Sequence, residues 1–357
     1  MVVVPVATLE KVCADTFVRV GSSAEEALRV ARSLIGANLT GHDSHGVIRV
    51  PRYVQWVQAG DIVPNQTVAL TVDTPALAVV DARYAFGQTA APQAVRIGVA
   101  KAKAAGLAAV ALRDSGHIGR VGEWAEMAAA EGLVSVHFVN ASGSVLVAPF
   151  GGTERRISTA PFCVGVPRDG AEPVILDFAT SIVAEGKVMV ASRGGKALPA
   201  GALIGPDGVL STDPALLYGP YEPEGPRDYS QGLGAIRAFG EHKGSGLALM
   251  CELLGGSLTG TRATHDGRAK FANGMFSIYV DPARVDPDHI FDADVARYLS
   301  YFKSARPAQG VSEVLTPGEP ERAMRAERTK NGVPLPEATW NSILAAARSV
   351  GAEVPAT

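Results

Sequence analysis

Cysteine is scarce and scattered. The 357-residue chain has three, Cys13, Cys163 and Cys251, an odd number with no short spacing between them. That excludes a disulfide framework and a cysteine-based zinc site, and it fits a reducing compartment. Runs of basic residues are missing too. The 33 Lys and Arg against 36 Asp and Glu leave a formal net charge of -3, which argues against a general nucleic-acid binder. No apolar stretch reaches membrane-spanning length. The apolar N-terminus, Met1 to Val6, is too short for a secretory signal and has no basic flank. No Gly-x-Gly-x-x-Gly follows a strand, since Gly116, Gly119 and Gly122 have the wrong spacing. No Gly-x-Ser-x-Gly elbow marks a hydrolase. The expectation is a soluble cytoplasmic protein with neither a nucleic-acid nor a membrane partner. If it binds a nicotinamide cofactor, it does so without a Rossmann fold.

What is present is an ordinary globular composition. Hydrophobic residues make up 47% and charged residues 19%, enough for a large core and two structural units. Ser22 with Glu25, or Ser23 with Glu26, forms a capping box ahead of Ala27, Val30, Leu34 and Ala37 at helical spacing. Further helices are predicted over 48–59, 88–105, 120–131, 182–191, 243–258, 321–330 and 337–350. Strands are predicted over 68–72, 76–80, 107–112, 133–140, 162–166, 173–176 and 274–280. Residues 196–229, rich in Gly, Pro and Asp, read as a long irregular excursion. The whole reads as α+β (α/β-like). A central mixed β-sheet with flanking helices, residues 71–291, joins a helical domain built from both termini, residues 1–70 with 292–357.

The densest chemistry lies in Gly41-His42-Asp43-Ser44-His45-Gly46-Val47-Ile48-Arg49. A histidine moves protons near neutral pH, and an arginine grips a carboxylate through paired hydrogen bonds. Arg49 in the first turn of a helix lies close to His45, and Tyr53 follows one turn later on the same face. His117, in Ser115-Gly116-His117-Ile118-Gly119, follows a strand end, where catalytic groups concentrate. Without the fold, a loop histidine bonded to backbone and a surface arginine paired with an acid are the readings that spacing alone favours. His42, Asp43 and His45 do not match a metal-binding spacing, so no metal is expected. Gly240-Glu241-His242-Lys243-Gly244-Ser245-Gly246 opens an apolar helix and offers backbone N–H groups plus a lysine to a phosphate. Asp177, at a strand end, is placed to meet a ribose hydroxyl or a histidine, or to cap the segment that follows it.

Taken in order, these pieces resemble the malate/L-lactate dehydrogenase-type, or sulfolactate dehydrogenase-like, oxidoreductases over nearly the whole chain. They are Ser44-His45-Gly46 with Arg49, Pro51 and Tyr53, His117-Ile118-Gly119, Pro149-Phe150-Gly151-Gly152, Leu176-Asp177-Phe178-Ala179-Thr180-Ser181, Gly186-Lys187, Thr212-Asp213-Pro214, His242-Lys243-Gly244, Leu258-Thr259-Gly260 and Pro317-Gly318-Glu319. Ala37-Asn38-Leu39, Ala85-Phe86-Gly87-Gln88 and Phe239 to Lys243 look closest to the hydroxycarboxylate dehydrogenase B branch. The resemblance implies a non-Rossmann nicotinamide-binding fold, a homodimer, and reversible hydride transfer between NAD, or NADP, and a small 2-oxo or 2-hydroxy acid. Cyclic imino acid reduction and nicotinamide binding without turnover are the alternatives. It also implies His45 or His117 as the acid–base group, with His45 preferred because it shares a turn with Arg49, and Asp177 beside a protonated histidine. Substrate contacts are implied at Ser44, Arg49, Tyr53 and Thr159. Cofactor contacts map to Pro173, Val174, Ile175, Leu176, Asp177, Phe178, Ala179, His242, Lys243, Gly318, Glu319 and Pro320. One departure stands out: Ser158-Thr159-Ala160-Pro161 replaces the family's usual Gly-Thr-Asn-Pro, so a side chain is missing at Ala160.

Overall fold

A computed structural model describes residues 1–194, 197–222, 227–265, 267 and 270–355. A seven-stranded sheet forms its centre, in the order Ala69–Asp73, Leu77–Asp81, Leu107–Ser115, Ala272–Val280, Val134–Ser142, Pro161–Val166, Val174–Ala179. Leu77–Asp81 and Leu107–Ser115 run parallel, and every other neighbouring pair is antiparallel. A parallel pair needs a crossover, which the helix Gly87–Ala105 supplies. Small residues on that helix let it lie close to the sheet. Ala90, Ala91, Ala94 and Ala102 are fully buried, and a Cβ on Gly98 would fall 2.2 Å from the Tyr279 ring.

A second core draws on both ends of the chain. Val2–Val4 pairs antiparallel with Val333–Leu335. Leu9, Val12, Phe17, Val30 and Leu34 pack with Ile343 and Ala347; burying each large side chain contributes about 1.5–3 kcal/mol. Of the two candidate caps Ser23 is the one used, and the Ser22–Glu25 box does not form. Ser23 accepts the Glu26 N–H at 3.2 Å, and Ser22 donates to the buried Glu26 carboxylate at 2.9 Å. A third core, including Leu146, Leu203, Leu217 and Ile236, lies under a four-stranded sheet ordered Leu210–Ser211, Leu203–Ile204, Ala235–Arg237, Val147–Ala148.

Three local expectations change. The excursion over 196–229 contains two of those short strands and the helix Ala215–Tyr218; Lys196 and residues 223–226 of it lie outside the described residues. Strands this short carry too little alternation to be read as strands. The helix expected from residue 48 is preceded by two 3-10 turns, Asp43–His45 and Val47–Arg49, and begins at Val50. The apolar helix from His242 is α-helical to Cys251 and widens into a π-helical stretch, Glu252–Leu258.

Candidate functional site

The two 3-10 turns follow from one buried amide. Asn38 is 1% exposed at the end of its helix. Its Nδ2 donates to Asp43 Oδ1 at 2.6 Å, and its Oδ1 accepts the Val47 N–H at 2.8 Å. The backbone passes so close that a Cβ on Gly46 would fall 2.1 Å from Asn38 Oδ1, so only glycine fits. Arg328, from the helix Glu319–Asn331, holds Asp43 with two further hydrogen bonds. Asp43 is thus an anchor for the loop. Ser44 is pressed against a second helix, where a Cβ on Gly186 would lie 2.6 Å from its own.

This loop presents His45 and Arg49 together. The Arg49 Nε donates to the Ser44 carbonyl at 2.6 Å. Among the described residues, the two terminal guanidinium nitrogens have no hydrogen-bond partner. His45 stacks on His117, with ring centroids 5.4 Å apart and planes 15° apart. Ser44 Oγ lies 3.0 Å from His45 Nδ1, and Tyr53 Oη lies 2.6 Å from His117 Nδ1. Burial first, then the charge of Arg49, pushes both imidazoles down; His45 falls to about 3, with His42 and Arg120 adding to the effect. Both rings are therefore neutral at pH 7, in a region whose nearby charges are cationic and suit a carboxylate.

Two expectations need correction. Tyr53 shares the site, but as a fully buried support behind His117 and not as a wall of an open pocket. It stacks against Trp56, which in turn stacks on Phe271 at 5.0 Å. Asp177 is not paired with either histidine of the stack. Its Oδ2 accepts the Gly122 N–H at 2.7 Å, so it caps the helix Gly122–Ala130, from a strand far along the chain, rather than the segment after it. Burial raises its pKa, and the charges that act on it are His42, Arg120 and Glu321. Thr159 lends its carbonyl to Thr180; among the described residues, no hydrogen bond joins it to the histidine pair.

The other expected contacts gather along the outermost strand, Val174–Ala179. At one end, the Ile175 N–H reaches the Pro317 carbonyl at 3.4 Å, and Arg322 donates to the Pro173 carbonyl at 3.1 Å. Gly318, with φ +94°, precedes the helix that begins with Glu319 and Pro320. At the other end, the Phe239 N–H bonds the Thr180 carbonyl, and Phe178 meets Phe239 edge-on at 5.3 Å. The turn carrying His242 and Lys243 follows directly. A cavity of about 370 Å3 opens beside the first end, walled by Arg120, Pro173, Ile175, Asp177, Gly318 and Glu321. Among the described residues, His45, Arg49 and His117 are not in its walls. Arg120 links the two regions: its charge reaches His45, and its Nε is buried without a partner.

Several of these residues carry no sequence signal. Arg120, Glu321 and Arg322 sit one to three residues beyond segments already singled out, and Trp56 follows Tyr53 by one helical turn, but nothing in their spacing shows that they meet; Gln88 and Phe271 reach the site from remote segments. His42 was visible only as a poor metal candidate. It faces Glu321 at 3.5 Å. Among the described residues, no group of three or more His, Cys, Asp or Glu could hold a metal ion.

Comparison with known proteins agrees with this architecture. Residues 4–344 match the family model described as malate/L-lactate dehydrogenase. Hydroxycarboxylate dehydrogenase B of Escherichia coli (strain K12) is 41% identical over 350 residues, covering 96% of this chain and 93% of that protein. The delta(1)-pyrroline-2-carboxylate reductase of Ancylobacter novellus is 33% identical, covering 95% and 96%. The crystal structure of malate dehydrogenase from Entamoeba histolytica superposes with a TM-score of 0.89 at 26% identity, covering 99% of each chain. The chain is an oxidoreductase and belongs to the malate/L-lactate dehydrogenase family.

Proposed function

We propose that the protein reduces a small 2-oxo acid to the 2-hydroxy acid, reversibly, with NADH or NADPH. The observation that carries this reading is the stacked histidine pair beside an arginine whose two terminal nitrogens are uncommitted. Arg49 holds the substrate carboxylate through both nitrogens. Pairing with the carboxylate neutralises the cation that depresses both imidazoles, so substrate binding raises their proton affinity. One imidazole, having taken up a proton from solvent, gives it to the forming alkoxide and returns to the neutral form, and takes it back in the oxidation direction. Ser44 orients His45, and Phe271, backed by Trp56, packs beside His117.

The strand Val174–Ala179 with Gly318–Pro320 and His242–Lys243 fits a dinucleotide. The cavity beside it is lined by four arginines, Arg120, Arg168, Arg322 and Arg325, against four acids, Glu126, Glu172, Asp177 and Glu321, and a left-handed glycine at a helix N-terminus there favours an anion. A nicotinamide cofactor, when bound, supplies the hydride. Arg120, Arg322 and Lys243 offer the positive charge that its phosphates need. Acids and arginines share the walls of this cavity, so neither NAD nor NADP is selected by charge, and NAD with NADP accepted is the reading. The cytoplasm and a homodimer complete it. Among the described residues, no helix is long and apolar enough to cross a membrane.

The test is an absorbance screen of NADH and NADPH oxidation over lactate-, malate- and phenyl-type 2-oxo acids. The 33% relative that acts on a pyrroline carboxylate makes a cyclic imino acid the necessary extra arm. Turnover of the imine alone moves the substrate to that class. No oxidation with any compound, although the cofactor binds by fluorescence, refutes the enzyme reading.

A further inference from the structure

The hydrogen-bond chain behind His117 takes its direction from the Gln88 amide, whose Nε2 faces Tyr53 and whose Oε1 is buried without a partner among the described residues. Tyr53 and Gln88 are both 0% exposed, so neither can exchange a partner for water. Gln88 Nε2 donates to Tyr53 Oη at 2.9 Å, and Tyr53 Oη lies 2.6 Å from His117 Nδ1. A phenol has one proton to give. With the amide N–H taken up by its lone pair, that proton has two acceptors in reach, His117 Nδ1 at 2.6 Å and the His117 carbonyl at 3.4 Å, and the much shorter contact takes it. A neutral imidazole that accepts at Nδ1 carries its hydrogen on Nε2. Among the described residues, Nε2 has no hydrogen-bond partner.

The surroundings hold this chain rigid. Phe17, Phe86 and Trp56 surround the Tyr53 ring at centroid distances of 5.6–6.2 Å from their neighbours in the cluster. Gly87, beside Gln88, lies so near the His117 loop that a Cβ there would fall 2.3 Å from the His117 carbonyl oxygen. The start of the crossover helix therefore fixes both the glutamine and the backbone of the histidine it acts on. His45 has no such device: its Nδ1 meets the rotatable hydroxyl of Ser44, which can donate or accept.

We propose that Gln88 is a positioning residue for the reaction, acting through Tyr53 to hold His117 in the Nε2–H form, so that a hydrogen-bond donor faces the substrate's carbonyl oxygen before it binds. This rests on the oxo acid reductase reading for its purpose, but not for its test. The chain is not a proton wire: Tyr53 and Gln88 keep their protons, and their work is to exclude the other tautomer.

The experiment is 15N–1H correlation of the imidazole nitrogens in histidine-labelled protein at pH 7.5, with His117→Gln used to assign the signals. Wild-type protein shows His117 protonated at Nε2. Gln88→Glu, once ionised, can only accept; Tyr53 then turns its proton to the carboxylate, and His117 moves its hydrogen to Nδ1. Tyr53→Phe removes the donor and leaves a mixture of the two forms. In the loaded enzyme, Tyr53→Phe lowers kcat roughly 10- to 100-fold, below the full range of a lost general acid, while KM for the oxo acid changes less than threefold because Arg49 is untouched. Wild-type protein with its hydrogen at Nδ1 overturns the proposal without any variant. So does a folded Gln88→Glu protein, ionised at that site, whose His117 tautomer is unchanged. A correct tautomer in a protein that oxidises no NADH or NADPH would refute the reductase reading alone.

Discussion

His137 offers the most direct measurement of what burial does to a titrating group in this fold. It lies in the middle of the central sheet, 0% exposed, with Nδ1 2.8 Å from Ser277 Oγ and Nε2 3.0 Å from Ser135 Oγ. A neutral ring satisfies both hydroxyls. A protonated ring would put an unpaired charge among apolar strands, and burial therefore lowers its pKa from 6.5 to about 3. Between these two values the unfolded chain binds a proton that the folded protein does not. The stabilisation is complete above pH 6.5 and is lost as pH falls toward 3, at about 1.4 kcal/mol per pH unit for one group. From pH 6.5 to 4.5 this amounts to about 3 kcal/mol, a large share of the 5–15 kcal/mol that a domain possesses. His45 and His117 act with the same sign. Replacing His137 by Gln, which can still bridge two hydroxyls, removes one such group and leaves the others. Urea unfolding at pH 7.5, 6.5, 5.5 and 4.5 gives the comparison. The Gln variant starts less stable at pH 7.5 but loses stability less steeply, by about 1 kcal/mol per pH unit below pH 6. Parallel stability–pH curves for the two proteins would show that His137 titrates normally and that the argument is wrong.

Three further outcomes follow from other parts of the structure. Arg49→Ala raises KM for 2-oxo acids by roughly 100-fold or more, as expected for a lost bidentate pair. It also moves the imidazole-dependent limb of the pH–rate profile upward, because a cation that depresses both rings is gone; an unchanged KM contradicts the clamp. Glu252 is 3% exposed and accepts from Ser158 N and Oγ and from Thr264 N and Oγ1 at 2.8–3.2 Å. Glu252→Gln sets an amide N–H against those donors and costs about 2–3 kcal/mol in urea unfolding, and a cost under 0.5 kcal/mol would mean that the network contributes little. Ala160 holds φ +29° while fully buried. Ala160→Gly is nearly neutral, since relief of about 1 kcal/mol of left-handed strain offsets a lost methyl of about 0.8 kcal/mol. Ala94→Gly, in mid-helix, costs about 2 kcal/mol, and equal costs at the two sites would remove the strain argument.

The backbone at Ala160 also bears on the departure from the family pattern. Asparagine tolerates left-handed backbone better than alanine. At Ala160 the missing side chain therefore bears on the conformation of the loop between Ser158 and Pro161, and not only on what a ligand would touch. The Thr180 hydroxyl, which donates to the Ala160 carbonyl at 2.9 Å, helps hold the loop in that form.

Residue order alone carried the long elements and the ingredients of the chemistry. Helices and strands with sustained periodicity, such as Gly87–Ala105 and Ala272–Val280, declared themselves because burial on one face repeats along the chain. His45 and Arg49 were legible as a pair because four residues of local backbone put them together. The Ser23 cap was legible for the same reason. What only tertiary structure decided are relations across distance: His117 stacked on His45, Tyr53 turned inward to His117, Gln88 behind it, and Asp177 serving the helix that starts at Gly122 instead of a histidine. Hydrogen bonds and ring contacts act over a few ångströms, and segments tens to hundreds of residues apart meet at that range only after the sheet and the terminal helices have packed.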